Sequence, residues 1–173
     1  MTRLRTVAAC CTLLSGMLTF GSIAGGTAHS LGDVLRESGW DRIIGEWVDA
    51  ETKGAGLRVV YVWRFDNRLI EVTAWEGQKE TVSLMGRNPK SGDIFHVSAD
   101  NRGGSSIGKW EIEDGEASLG IVYVTGEGEE GGLTLRHRLE DDDTMVITVE
   151  LPKPIKIKMV RVKSKSAPDS RKP

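Results

Sequence analysis

The chain has 173 residues, with 23 basic and 25 acidic residues and a formal net charge of −2. This length fits one domain together with an export segment. Both cysteines, Cys10 and Cys11, lie in the N-terminal segment that we expect to be removed. The composition therefore excludes disulfides and thiol chemistry from the mature chain, which must be stabilised by a hydrophobic core.

Residues 1–28 are typical of a secretory signal peptide. Arg3 and Arg5 supply the positive start, residues 7–23 are apolar or small and uncharged, and Ala28 ends a short run of small residues. We expect cleavage after this segment and export to the periplasm or the extracellular space. A retained membrane anchor and lipidation at Cys10 are the alternatives. After signal removal we expect no integral membrane segment.

A short amphipathic stretch follows the signal. Its apolar residues recur at helical spacing: Leu31, Val34, Leu35, Trp40 and Ile43. Asp33 lies near the start of this stretch, and Gly39 interrupts it. The pattern predicts a short helix followed by a turn, which would serve as a lid or plug and not as a separate domain.

From Ile44 onward the hydrophobic period changes to two. Leu57, Val59, Tyr61, Trp63 and Phe65 share one face of a single strand. Short turns join ten strand candidates, and no helical stretch long enough for a parallel crossover separates them. The candidates are residues 44–48, 57–65, 69–75, 79–87, 94–99, 107–112, 117–124, 133–139, 145–151 and 155–163. We predict an all-β domain over residues 29–163: a closed or nearly closed antiparallel up-and-down barrel of 8–10 strands with a short N-terminal helix.

The C-terminal end is basic. From Lys153 onward there are eight basic residues and one acidic residue. A basic end on an acidic body can meet an anionic membrane surface or a nucleic acid. Lys156 and Lys158 instead fit the solvent face of the last strand, so we predict no nucleic-acid partner and leave the protein partner open. Residues 164–173 are expected to form a disordered basic tail.

Three residues link the first strand to the last. Gly45 and Trp47 form a Gly-x-Trp on the first strand, and Arg161 shares a face of the last strand with Met159. With the strand meander, they make residues 40–163 similar to the calycin superfamily of lipocalins, fatty-acid-binding proteins and bacterial lipocalin-like domains. The resemblance implies that Trp47 packs across the barrel base with Arg161 against its ring, a cation–π contact that closes this end. A second lipocalin motif and the usual disulfide have no counterpart here, which favours the bacterial lipocalin-like type.

Five residues at predicted inward positions are candidates for a ligand pocket: Tyr61, Trp63, Tyr123, His137 and Met159. His137 has the phase of Leu135 and should point into the barrel. There it can hydrogen-bond a ligand or bind haem iron, or be satisfied by a neighbouring hydroxyl or water. The two faces of the strand that carries His96 are less distinct; with Phe95, Val97 and Ala99 inward, His96 would lie at the surface.

The sequence has few signs of catalysis. The three histidines are too far apart for metal-ligand spacing, and no nucleophile or phosphate-binding motif is present. We predict a protein that is not an enzyme and holds no metal and no cofactor. The first hypothesis is that the barrel binds a small, mostly apolar ligand. The alternative is a filled barrel that serves as an interaction scaffold in the cell envelope, and a haem or tetrapyrrole site at His137 is the third hypothesis.

Overall fold

The computed structural model describes residues 29–113 and 115–163. The predicted signal peptide at residues 1–28 and the predicted tail at residues 164–173 lie outside the described residues. Helix α1 (Leu31–Glu37) and a 3-10 helix (Asp41–Ile43) precede the strands. Within the described ranges, no helix has the length and apolar character needed to cross a membrane.

Ten strands follow in the described part of the chain. They are β1 (Gly45–Asp49), β2 (Leu57–Phe65), β3 (Leu69–Glu76), β4 (Lys79–Arg87), β5 (Ile94–Asp100), β6 (Ser105–Glu113), β7 (Glu116–Val124), β8 (Glu130–Leu139), β9 (Thr144–Glu150) and β10 (Ile155–Arg161).

Each strand pairs antiparallel with its sequence neighbours, and β1 also pairs with β10 to close the barrel. The closing register sets Trp47 opposite Arg161 and Asp49 opposite Met159. Closure removes the sheet edges that an open meander would expose. The predicted fold class is confirmed: this is an all-β, calycin-like, closed antiparallel up-and-down barrel, and its ten strands are the upper limit of the expected number.

Helix α1 plugs one end of the barrel, which we call the base. Ser30 caps the helix, because its hydroxyl accepts a hydrogen bond from the Asp33 N–H while the Asp33 carboxylate accepts one from the Ser30 N–H. Leu31 and Leu35 are buried in the core. The Gly32 N–H donates to the Asn67 carbonyl at 2.8 Å, which ties the helix to the turn between β2 and β3.

Trp47 lies at the centre of the base and is fully buried. Its indole Nε1–H donates to the Ile43 carbonyl at 2.8 Å, so the 3-10 helix and β1 hold the ring from two sides. The Arg161 guanidinium carbon lies 4.3 Å from the centroid of the Trp47 ring. This is the cation–π geometry that the calycin resemblance implied.

Arg161 also joins the segments around the base through its three guanidinium nitrogens. Nη1 donates to the Ile44 carbonyl at 2.7 Å, Nε donates to the Asp142 carbonyl at 2.7 Å, and Nη2 donates to the Arg42 carbonyl. Gly45 has a φ of +132°, and a Cβ at this position would lie 2.6 Å from Arg161 Nη1. Glycine is therefore favoured at this position both for its conformation and for its lack of a side chain.

The opposite end of the barrel, which we call the mouth, is formed by the five loops at residues 50–56, 77–78, 101–104, 125–129 and 151–154. Both ends of the described chain lie at the base. Arg87, at the base end of β4, donates to the His29 carbonyl, and β10 ends at Arg161.

One residue of β2 departs from the predicted alternation. Phe65 was expected on the inward face, but its side chain is 64% exposed. The β2–β3 register shifts between Trp63 and Phe65, which is a β-bulge. Because a bulge adds one residue to one strand, the alternation reverses beyond it and Phe65 faces solvent.

Candidate functional site

The barrel interior contains a cavity of about 740 Å³ that opens at the mouth. This volume lies within the range of about 300–1,000 Å³ that is usual for small-molecule sites. The interior below it, toward the base, is filled by side chains such as Ile70, Met85 and Met145. The base is therefore solid core, and the cavity occupies the middle of the barrel and the mouth.

Two walls of the cavity differ in polarity. The wall formed by β2, β3 and β7–β10 is largely apolar, with side chains that include Leu57, Val59, Val72, Leu119, Ile121, Leu135, Ile147 and Ile157. The wall formed by β4, β5 and β6 carries polar side chains: Thr81, Ser83, His96, Ser98 and Ser106. The Ser98 and Ser106 hydroxyls are hydrogen-bonded to each other at 2.6 Å.

His96 lines the cavity, and the prediction that it lies on the surface is wrong. Only 8% of its surface is exposed, whereas Phe95 and Val97 on the opposite face of β5 are 36% and 39% exposed. The inward face of β5 is polar because it borders a cavity, and the outward face is apolar. The assumption that the more apolar face points inward therefore failed here.

His137 faces the same cavity from β8 and is 3% exposed, in agreement with the phase of its strand. The Trp110 ring lies between the two histidines. Its centroid is 4.9 Å from that of His137 and 6.4 Å from that of His96. The three rings form one cluster, which we call the floor cluster.

Both histidines of the floor cluster are neutral near pH 7. Burial lowers the pKa of His96 from its ordinary value of 6.5 to about 4. Burial also lowers the pKa of His137 to about 4; the nearby backbone of Ala117 and Leu135 opposes this shift, and the proximity of His96 adds to it. Each neutral imidazole has one N–H donor and one acceptor nitrogen.

Tyr61 and Tyr123, two of the predicted pocket residues, line the cavity at different heights. Tyr61 is 3% exposed, and burial raises the pKa of its hydroxyl, which therefore stays neutral. Tyr123 is half-buried at the mouth, where its side chain lies against Gly131, since a Cβ on that glycine would approach the phenolic oxygen to 2.4 Å.

Trp63 and Met159, the other two predicted pocket residues, are not among the described residues that line the cavity. Met159 is fully buried, and Trp63 is half-buried against the core. Both lie toward the base, in the solid part of the barrel. Alternation gives the face of a strand on which a side chain lies, but not its height along the barrel axis.

Charged groups gather at the mouth. The Lys79 ammonium lies 3.1 Å from the Asp100 carboxylate, and Arg102 and Glu127 also line the opening. Burial raises the pKa of Asp100, but hydrogen bonds from the N–H groups of Gly104 and Arg102 and the contact with Lys79 outweigh this effect and lower it. Asp100 thereby fixes the loop between β5 and β6 beside the opening.

The sequence did not single out the polar wall as part of a site. No motif marks Ser83, Ser98 or Ser106. Only the inward phase that they share with His96 and Trp110 could have indicated them.

Among the described residues, no group of three or more His, Cys, Asp or Glu side chains is placed to hold a metal ion. Comparison of the sequence with protein-family models and with curated proteins finds no match.

Proposed function

We propose that this is an exported lipocalin-like protein of the calycin type that binds a small, mostly apolar molecule inside its barrel without chemical turnover. The observation that carries the proposal is the cavity of about 740 Å³ with one open end and a continuous apolar wall. A filled interior, as the scaffold hypothesis requires, would leave no such space. Burial of apolar ligand surface against this wall would supply most of the affinity, at about 25 cal/mol per Å².

The closed base supports a binding function with a single direction of entry. Helix α1, Trp47 and Arg161 seal one end, so a ligand would enter and leave between the mouth loops.

The chemistry of the lining favours binding over turnover. Two serine hydroxyls in the cavity wall, those of Ser98 and Ser106, are hydrogen-bonded to each other. An activated serine instead needs a base within hydrogen-bond reach of its hydroxyl. The neutral imidazoles of the floor cluster are better suited to orienting a ligand.

Native and denaturing mass spectrometry of the protein from its native envelope tests the proposal. A stoichiometric small molecule that is released on denaturation would support it and identify the ligand class. A clean apo mass, together with no tryptophan fluorescence response to a panel of fatty acids and tetrapyrroles, would contradict it.

Replacing either of two alanines by tryptophan, one inside and one outside the barrel, tests whether binding occurs in the cavity. Ala74 lines the cavity, whereas Ala99 is exposed on the outer face of β5. We expect Ala74→Trp to weaken binding of the neutral dye N-phenyl-1-naphthylamine by about tenfold or more, because the indole would occupy ligand space. Ala99→Trp should leave the affinity within about twofold. Equal effects of the two substitutions would place the dye outside the barrel.

A tetrapyrrole is the second candidate ligand, because two buried imidazoles, His96 and His137, line the same cavity. A Soret band after haem addition that is lost in His137→Ala would support this candidate. A Soret band that persists in His137→Ala would assign the haem to another ligand group.

An interaction scaffold is the candidate from a different class, and one feature of the outer surface favours it. Val97, Ile107 and Val122 lie directly opposite one another on β5, β6 and β7, and they are 39%, 61% and 59% exposed. Such apolar rows are typical of contact surfaces. Ile107→Lys would disrupt this surface and leave cavity binding unchanged. A loss of biological function in Ile107→Lys, but not in the cavity variant Ala74→Trp, would therefore favour the scaffold.

A further inference from the structure

The floor cluster contains three buried polar atoms that have no hydrogen-bond partner among the described residues: His96 Nδ1, Trp110 Nε1 and His137 Nδ1. Their side chains are 8%, 5% and 3% exposed. Buried polar groups in folded proteins are nearly always paired, so an unpaired set in one place needs an explanation. The three atoms have almost no exposed surface, but all three side chains line the same cavity, so a ligand can provide the partner once a small side-chain rotation turns these atoms toward it.

The chemistry of these atoms limits what the ligand can present to them. The indole Nε1–H of Trp110 donates and cannot accept, so the ligand group that reaches it must be an acceptor. The two neutral imidazoles can each either donate or accept. An oxygen with two lone pairs can receive the indole N–H and one imidazole N–H at once.

Charge limits the ligand further. The charged side chains that line the cavity, including Lys79, Asp100 and Arg102, lie at the mouth, whereas the floor cluster is buried and neutral. A carboxylate at the floor would lose its hydration and meet no positive charge there, which is costly. A neutral carbonyl oxygen fits better, because it accepts hydrogen bonds and carries no net charge.

The polar wall extends this preference along one side of the ligand. Ser83, Ser98 and Ser106 lie on β4, β5 and β6, and Ser83 and Ser98 are directly paired in the sheet, as are Ser98 and Ser106. Their hydroxyls face the apolar side chains of the opposite wall across the cavity. A ligand that matches both walls has one polar edge and one apolar face.

We infer that the ligand is a neutral, carbonyl-bearing apolar molecule that enters head first and places its carbonyl oxygen on the Trp110 N–H between His96 and His137. This inference rests on the proposed binding function and adds the chemical class and the orientation of the ligand. Ketones, amides and quinones with a flat or elongated apolar body belong to this class.

Three naphthalene probes of nearly equal size test the inference by isothermal titration calorimetry on the protein expressed from the full chain. The probe 2-acetylnaphthalene carries a carbonyl, 2-isopropenylnaphthalene carries a hydrocarbon group of the same shape, and 2-naphthoate carries an anion. We expect 2-acetylnaphthalene to bind about tenfold more tightly than 2-isopropenylnaphthalene, because only its oxygen satisfies the buried donor. We expect 2-naphthoate to bind least tightly.

The Trp110→Phe variant removes the N–H donor and keeps an aromatic ring. It should reduce the preference for 2-acetylnaphthalene to about threefold or less. Trp75→Phe is the matched control, because Trp75 lies outside the cavity under Arg58, whose guanidinium is 4.5 Å from its ring centroid. This control should retain the full preference.

The outcomes separate the two proposals. Equal affinities for 2-acetylnaphthalene and 2-isopropenylnaphthalene in the wild-type protein would overturn the inference and leave the binding function in place. Tighter binding of 2-naphthoate would also overturn it, since the preferred polar group would then be an anion, held either at the floor or by Lys79 and Arg102 at the mouth. Absence of binding by all three probes would refute the binding function itself. The wild-type comparison needs no variant, so it decides the question even where Trp110→Phe fails to fold.

Discussion

Acidification from pH 7 to pH 5 should destabilise this protein through His96 and His137. Their folded-state pKa values of about 4 lie below this whole range, so both imidazoles stay neutral in the folded protein. In the unfolded chain they recover the ordinary pKa of 6.5 and take up protons. The unfolded state therefore binds more protons, and stability falls as the pH falls.

The size of the effect follows from the two pKa values. At pH 5 each unfolded imidazole lies 1.5 pH units below its ordinary pKa of 6.5, whereas each folded imidazole is still neutral. At about 1.4 kcal/mol per unit, each histidine costs about 2 kcal/mol of unfolding free energy. The pair should cost about 2–4 kcal/mol. The carboxylates whose pKa the fold lowers contribute little in this range, because they stay largely ionised in both states above pH 5; Asp33, with a pKa of about 2, is the clearest case.

Urea unfolding monitored by tryptophan fluorescence at pH 7, 6 and 5 measures this loss. The control is the double variant His96→Gln and His137→Gln, which keeps two polar side chains and removes both titrations. Its stability should change by less than about 1 kcal/mol over the same range, whatever its stability at pH 7. The reasoning would be refuted by a wild-type stability that is constant from pH 7 to pH 5, or by a double variant that loses as much as the wild type.

Three substitutions at the base and at helix α1 test the packing of the closed end, each by urea unfolding. Arg161→Met should cost about 2–4 kcal/mol, since it removes the cation–π contact with Trp47 and several charge-assisted hydrogen bonds to carbonyls. The control is Arg138→Met, which should cost less than about 0.5 kcal/mol, because Arg138 is 63% exposed and paired with Glu140 at the surface. Similar losses in Arg161→Met and Arg138→Met would contradict the role of Arg161. Gly45→Ala should cost about 1–3 kcal/mol, because φ is +132° and the new Cβ would displace Arg161 Nη1; a neutral effect would show that the guanidinium can move. Ser30→Ala should cost about 1 kcal/mol through loss of the capping box, and no loss would mean that core packing alone holds α1.

The sequence was sufficient to predict the barrel, because its information is local and repeated. Period-two alternation, short turns and the absence of helical crossovers together favour an antiparallel meander, and ten strands favour closure. The contact between Trp47 and Arg161 was implied by the calycin resemblance and follows from the closing register of β1 and β10.

The cavity could be predicted only in part, for two physical reasons. The first is that hydrophobic contrast decides which face of a strand points inward, and a polar cavity wall reverses that contrast, as His96 on β5 shows. The second is that alternation carries no information about height along the barrel axis. Met159 and Trp63 have inward phase but lie toward the base, where strand register and tilt place them.

The arrangement of the two chain ends governs how this barrel can be attached to something else. His29 and Arg161 both lie at the plugged end, and hairpin loops form the open end. A tether, a surface or a fused domain joined at either end would therefore hold the barrel by its base, with the opening directed away from the attachment. The mouth would remain unobstructed in each of these arrangements, so the protein could be immobilised or tagged at either end without blocking its cavity.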